Sequence, residues 1–164
     1  MAHTRALRFV LVASTAFLAS CIDPVHDDAV SALGDEVSGV REGPTHRPGQ
    51  PCLTCHGGAG PGPDFQIAGT VFETEGTVTP ATGVKVTLTD ATGAVKELTT
   101  NTAGNFYVEE SRYTPTYPLH VKLARDTTTK EMQTRIGRRS GCGDCHRGGG
   151  SQALAPIVYM KAAP

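Results

Sequence analysis

The chain has 164 residues, enough for one modest domain with extensions. Aromatic residues make up only 5%, Trp is absent and 30 residues are Gly or Pro, which excludes a large core and describes a loop-rich protein of the kind that a covalent or metal staple often supports. A net charge of −1 with interspersed signs, and no basic patch interleaved with aromatics, argues against nucleic acid as a partner.

Arg5 and Arg8 open the chain, and residues 9–19 form a largely apolar run of 11 residues. That run is too short to span a bilayer, and residues 1–20 have the layout of an export signal. It ends in Leu18, Ala19, Ser20 and Cys21, which resembles the lipobox of bacterial lipoproteins. The resemblance implies cleavage before Cys21, acylation of that Cys and a membrane anchor in which each buried CH₂ adds about 0.8 kcal/mol. Ile22 rather than Asp follows Cys21. By the same resemblance this favours the outer membrane of a bacterial envelope, with the protein facing the periplasm. Cleavage there leaves 13 basic and 16 acidic residues, a balance of −3. The alternative is an ordinary signal peptide with an incidental Cys.

Residues 21–50 are expected to be the lipidated N-terminus and a tether. Val30, Leu33, Val37 and Val40 have helical spacing, but Gly34 and Gly39 interrupt it, so any helix is short. Residues 51–63 carry Cys52-Leu53-Thr54-Cys55-His56 and then a Gly/Pro breaker cluster. From residue 64 to 130 the texture becomes β. Residues 65–72 read as a strand, and Val84, Val86 and Leu88 alternate with Lys85, Thr87 and Thr89. Turns follow at 90–93 and 102–104, with strands at 94–100, 105–110 and 119–123. Residues 131–164 hold Cys142-Gly143-Asp144-Cys145-His146 and a closing strand at 156–160. The prediction is a mainly β fold: a small antiparallel β-sandwich flanked by two loop-rich C-x-x-C-H segments.

Residues 65–125 resemble the carboxypeptidase regulatory-like (transthyretin-like, Ig-like) domain through Ile67-Ala68-Gly69-Thr70-Val71-Phe72, Gly83-Val84-Lys85-Val86-Thr87-Leu88 and Thr100-Asn101-Thr102-Ala103-Gly104-Asn105-Phe106. The resemblance implies a non-catalytic scaffold, since a fold does not carry a function with it.

Five Cys is an odd number. Lipidation of Cys21 accounts for one, and the other four fall into two C-x-x-C pairs, each followed by His. C-x-x-C-H is the pattern of c-type haem attachment: two thiols one turn apart form thioethers with the haem vinyl groups, and the next His binds iron. The two copies resemble a dihaem c-type cytochrome. That resemblance implies two haem c groups on Cys52, Cys55, Cys142 and Cys145, with His56 and His146 as proximal iron ligands. It also implies one-electron exchange with redox partner proteins. Candidates for the distal ligand are His46, His120 and Met132, whereas His26 is assigned to the tether and Met160 to the core. No catalytic constellation stands out, so an electron carrier is expected rather than an enzyme. The alternatives are a small haem enzyme or haem sensor with an open iron face, C-x-x-C thiol chemistry, and a zinc-stabilised surface module, since paired C-x-x-C also suits zinc. Zinc requires neither His, and the 86 residues between Cys55 and Cys142 exceed the usual spacing of a zinc ribbon.

Overall fold

The computed structural model describes residues 23–36, 40, 42–58, 60, 62–147 and 155–162. The expected signal sequence and Cys21 lie outside the described residues. The chain divides after Ala32 into two units. In the first, helix α1 (Pro24–Ser31) starts where Asp23 caps it, accepting from the amides of Val25 and His26 at 3.2 and 3.1 Å, with Pro24 in the first turn. None of its residues is buried. The helix therefore begins earlier than the apolar spacing suggested and follows its cap instead. His26 lies on it, within the expected tether.

The second unit is the β domain. Its strands are β1 (Phe65–Thr70), β2 (Phe72–Thr74), β3 (Lys85–Thr89), β4 (Val95–Thr99), β5 (Asn105–Glu109), β6 (His120–Arg125), β7 (Thr128–Glu131), β8 (Ser140–Gly141) and β9 (Tyr159–Lys161). One sheet runs β4-β3-β6-β7, antiparallel throughout. The facing sheet runs β5-β1-β8, antiparallel between β1 and β5. Ile67, Val71, Phe106 and Val108 on one side and Val84, Val86, Leu88, Val121 and Leu123 on the other form the core between them, closed by Leu119 and Met160. Fold class and alternation are as expected, and Met160 is core.

Two pairings depart from an all-antiparallel sandwich. β8 runs parallel to β1, with Ile67 opposite Ser140 and Ala68 opposite Gly141, and β9 runs parallel to β2. The stretch after β7 therefore returns to the first sheet and does not trail away from it.

Local chemistry fixes the turns. Asp90 accepts from the Thr92 amide and hydroxyl at 2.8 and 2.7 Å, and from the amides of Ala94 and Thr116 at 3.0 Å. Asn101 accepts from the amides of Ala103 and Asn105 at 2.9 and 3.1 Å. Gly104 closes that turn at φ +75, where a side chain would strike the Val71 carbonyl.

A bulge at Gln66 matters most for the site. Phe65 stands opposite Glu109, but Ile67 stands opposite Val108, so two residues of β1 face one of β5. The alternation reverses there. Ile67 points into the core, while Phe65 joins the outer face carrying Tyr107. Gln66 is buried and donates to the Tyr117 hydroxyl at 2.8 Å.

Candidate functional site

Both C-x-x-C-H segments adopt the same tight turn. Helix α2 (Leu53–His56) holds the first and a 3-10 turn (Cys142–Asp144) the second. The His amide bonds the first Cys carbonyl in each, His56 to Cys52 at 3.0 Å and His146 to Cys142 at 2.8 Å. The second Cys amide bonds the same carbonyl at 3.3 Å in both. Each pair of thiols is thus carried on a single turn.

The imidazoles are fixed alike. His56 Nδ1 bonds the Pro63 carbonyl at 2.9 Å, and His146 Nδ1 bonds the Pro156 carbonyl at 2.6 Å. A carbonyl only accepts, so each Nδ1 is the donor; in the neutral imidazole that tautomer leaves the lone pair on Nε2, the nitrogen a metal would take. His56 is clamped further: Phe65 stacks on it with centroids 4.3 Å apart, Tyr107 stacks on Phe65 at 4.6 Å, and Gly62 lies so close that any side chain there would strike the ring. The bulge at Gln66 is what delivers Phe65 to this position.

The first Cys of each pair is desolvated. Burial pushes the Cys52 thiol up to about 11 and the Cys142 thiol up to about 12, with neighbouring Asp144 adding to both. Cys142 lies on Gly69 of β1, where a Cβ would come within 2.8 Å of its sulfur. All four thiols are free, and Cys145 is the exposed one.

The two segments pack on each other. A Cβ on Gly143 would stand 2.7 Å from the Gln50 carbonyl oxygen and 2.9 Å from Pro51 Cα. Arg139 donates to the carbonyl of Phe65 at 2.7 Å and to that of His56 at 3.4 Å, and pairs with Glu110 at 3.2 Å. Sequence reading passed over Arg139, because both of its hydrogen-bond acceptors are backbone carbonyls remote in sequence.

The distal candidates separate. The His46 ring lies 5.8 Å from His56, centroid to centroid, tilted by 39°, with its Nδ1 on the Gly43 carbonyl. Its segment is strapped to the sandwich: Asn105 donates to the carbonyls of Pro44 and His46 at 3.3 and 3.1 Å, Asn101 to Pro44 at 2.6 Å, and the Gly49 amide to Thr70 Oγ1 at 2.8 Å. Residues 42–50, expected within the tether, are thus built into the β domain. Met132 lines a groove of about 880 Å³ together with His146, Cys142 and Cys145. The apolar part of that groove comes from Val121, Leu123, Ile136, Ile157 and Val158. His120 is not among its lining residues; it sits on β6 opposite Thr89, on the face away from Val121 and Leu123.

This donor set suits a flat, largely apolar prosthetic group. The groove is within the size range of cofactor sites and has the thiols and imidazole of the second motif in its wall. Among the described residues no group of three or more His, Cys, Asp or Glu is gathered to hold a bare metal ion. Compared with family models, curated proteins and solved structures, the chain matches none.

Proposed function

We propose that this chain is an exported lipoprotein that carries two covalently attached c-type haems and transfers single electrons within a bacterial envelope, anchored through Cys21. The observation that carries this reading is the duplicated geometry: two C-x-x-C-H turns, each with its His Nδ1 held by a proline carbonyl. Cys52 and Cys55 would hold one haem and Cys142 and Cys145 the other, with His56 and His146 as proximal ligands. His46 is the distal ligand proposed for the first centre and Met132 for the second.

A bound haem supplies one-electron exchange at its iron. The chain's own residues do the rest. The proline carbonyls set the tautomer and aim each imidazole. Phe65 and Gly62 stop the His56 ring from turning. The groove walls would shield a haem held on Cys142 and Cys145 from water, and such burial tunes the potential.

Other chemistries have less support. A catalytic C-x-x-C dithiol needs a lowered thiol pKa, yet burial raises those of Cys52 and Cys142. A zinc site would need its ligands assembled around one point. The discriminating measurement is an absorption spectrum and intact mass of the envelope-targeted protein. Sharp reduced bands of low-spin haem c with two haem mass increments are expected. A high-spin spectrum would favour a haem enzyme or sensor, and a colourless, zinc-bearing protein would overturn the proposal.

A further inference from the structure

The geometry points to a disulfide between Cys52 and Cys142, joining the two C-x-x-C-H motifs in the chain before any group is attached to them. The inference goes beyond the haem reading and does not depend on it.

Each C-x-x-C pair invites a bond within its own motif, and Cys52 and Cys142 stand 90 positions apart in the sequence. The fold sets them face to face. Pro51, just before Cys52, meets Gly143, just after Cys142: a Cβ on Gly143 would stand 2.9 Å from Pro51 Cα. Leu53, just after Cys52, meets Gly141, just before Cys142, with its Cδ1 3.4 Å from where a Cβ would lie. The neighbours of one cysteine thus touch the neighbours of the other in reverse order, which leaves Cys52 opposite Cys142. Glycine on both sides of Cys142 is what lets the first segment come so close. The Cys52 Sγ lies 3.6 Å from the Gln50 carbonyl oxygen, and a Cβ on Gly143 would strike that same oxygen at 2.7 Å. Backbones in such contact hold facing residues near the Cα separation of about 4.4–6.8 Å that a disulfide spans.

The electrostatics agree. Burial is the main reason the Cys142 thiol is held up, and Cys52 comes next, ahead of Asp144 and of Cys145, the partner in its own motif. Cys145 is the exposed thiol. The oxidant is a disulfide in an oxidising envelope, carried by a dithiol protein or a small thiol. Cys145 attacks one of its sulfurs and expels the other as a thiol. Cys142 then displaces the bound half and closes on Cys145, and Cys52 attacks Cys142 and frees Cys145. In sum two S–H bonds become one S–S bond, and the oxidant leaves as two thiols carrying both protons. Burial of the two joined sulfurs shields the bond from outside thiols, which a bond through Cys145 would meet. While it stands, each motif keeps one free thiol, Cys55 or Cys145, so neither can hold any group through both.

The test takes the full chain made without haem, reduces it, treats it with oxidised glutathione, alkylates it with iodoacetamide and maps it by mass spectrometry. Two of the four motif labels should be lost, and the digest should hold a peptide pair joined through Cys52 and Cys142, with Cys55 and Cys145 labelled. Bonds confined to Cys52–Cys55 and Cys142–Cys145 overturn the inference, and so does full labelling of all four. Cys55→Ser/Cys145→Ser isolates the pair: its oxidised monomer should take no motif label and melt higher than its reduced form, since the cross-link restrains the unfolded chain. A folded variant that keeps both labels overturns the inference, and if the variant does not fold the native map decides. A chain that never takes up haem leaves this result standing, and failure here leaves the haem reading untouched.

Discussion

At the scale of single residues, an imidazole anchored at one nitrogen is a ligand whose direction is set before anything binds. On the proposed haem reading, distal ligands are then chosen by proximity. Met132 shares its groove with His146, while His120 lies elsewhere on β6. A thioether raises a haem potential. Met132→Leu keeps the volume, so the fold should change by less than about 1.5 kcal/mol. The higher of the two potentials should fall; unchanged potentials in both centres would remove Met132 from the ligand set. Asp90 gives a second prediction, remote from the motifs. Its hydrogen bonds with Thr92, Thr116 and Ala94 hold its carboxyl down at about 2, against an ordinary value of 3.8. A carboxylate with a depressed folded pKa stabilises above its unfolded pKa and loses that contribution as pH falls toward the folded one. Native melting temperature should therefore drop between about pH 4 and pH 2. Asp90→Ala should melt lower at pH 7 and show a flatter acid limb, measured as melting temperature against pH.

At the scale of elements, the strands that alternate cleanly were legible, because half-buried strands write a period of two into the sequence. β3 and β6 are the clearest: Val86, Leu88, Val121 and Leu123 are buried, while Lys85 and Lys122 are not. The bulge at Gln66 was not legible, since it depends on how β1 meets β5 and not on β1 itself. β7 and β8 also escaped notice; β8 has two residues and exists through its pairing with β1. The His46 strap was hidden for a similar reason, because its acceptors are backbone carbonyls 57 to 61 positions from their Asn donors. Asn105→Ala removes both of its bonds to that strap and leaves the Thr70 hydroxyl without its acceptor. The cost should be about 1–3 kcal/mol in urea unfolding. If His46 is a ligand, part of the low-spin signal should be lost as well. Gly143→Val drives a side chain into Gln50 and Pro51. Overpacking of this kind costs about 1–3 kcal/mol. The loss should appear as a lower midpoint in urea unfolding of the full chain.

At the scale of the whole molecule, the core accounts for the sandwich but leaves a groove beside it. The core is small and built mainly of Val, Leu and Ile, with Phe106 as its one aromatic member among the described residues. The groove of about 880 Å³ takes its walls from residues that also touch that core, including Met132, Ile136 and Val158. Left open, these side chains meet water, and burying apolar area contributes roughly 25 cal/mol per Å². A prosthetic group fixed to Cys142 and Cys145 would cover them only in the folded state, and whatever holds to the native state alone stabilises it. Replacing all four motif Cys with Ala should therefore leave the antiparallel sheets in place, seen as an unchanged far-ultraviolet β signature. The melting temperature should fall, and a dye that reports exposed apolar surface should bind. In a domain of this size each kcal/mol lost lowers the melting temperature by about 2–8 °C. Equal melting temperatures and no dye binding would mean that the groove is closed by the chain itself and owes nothing to an attached group.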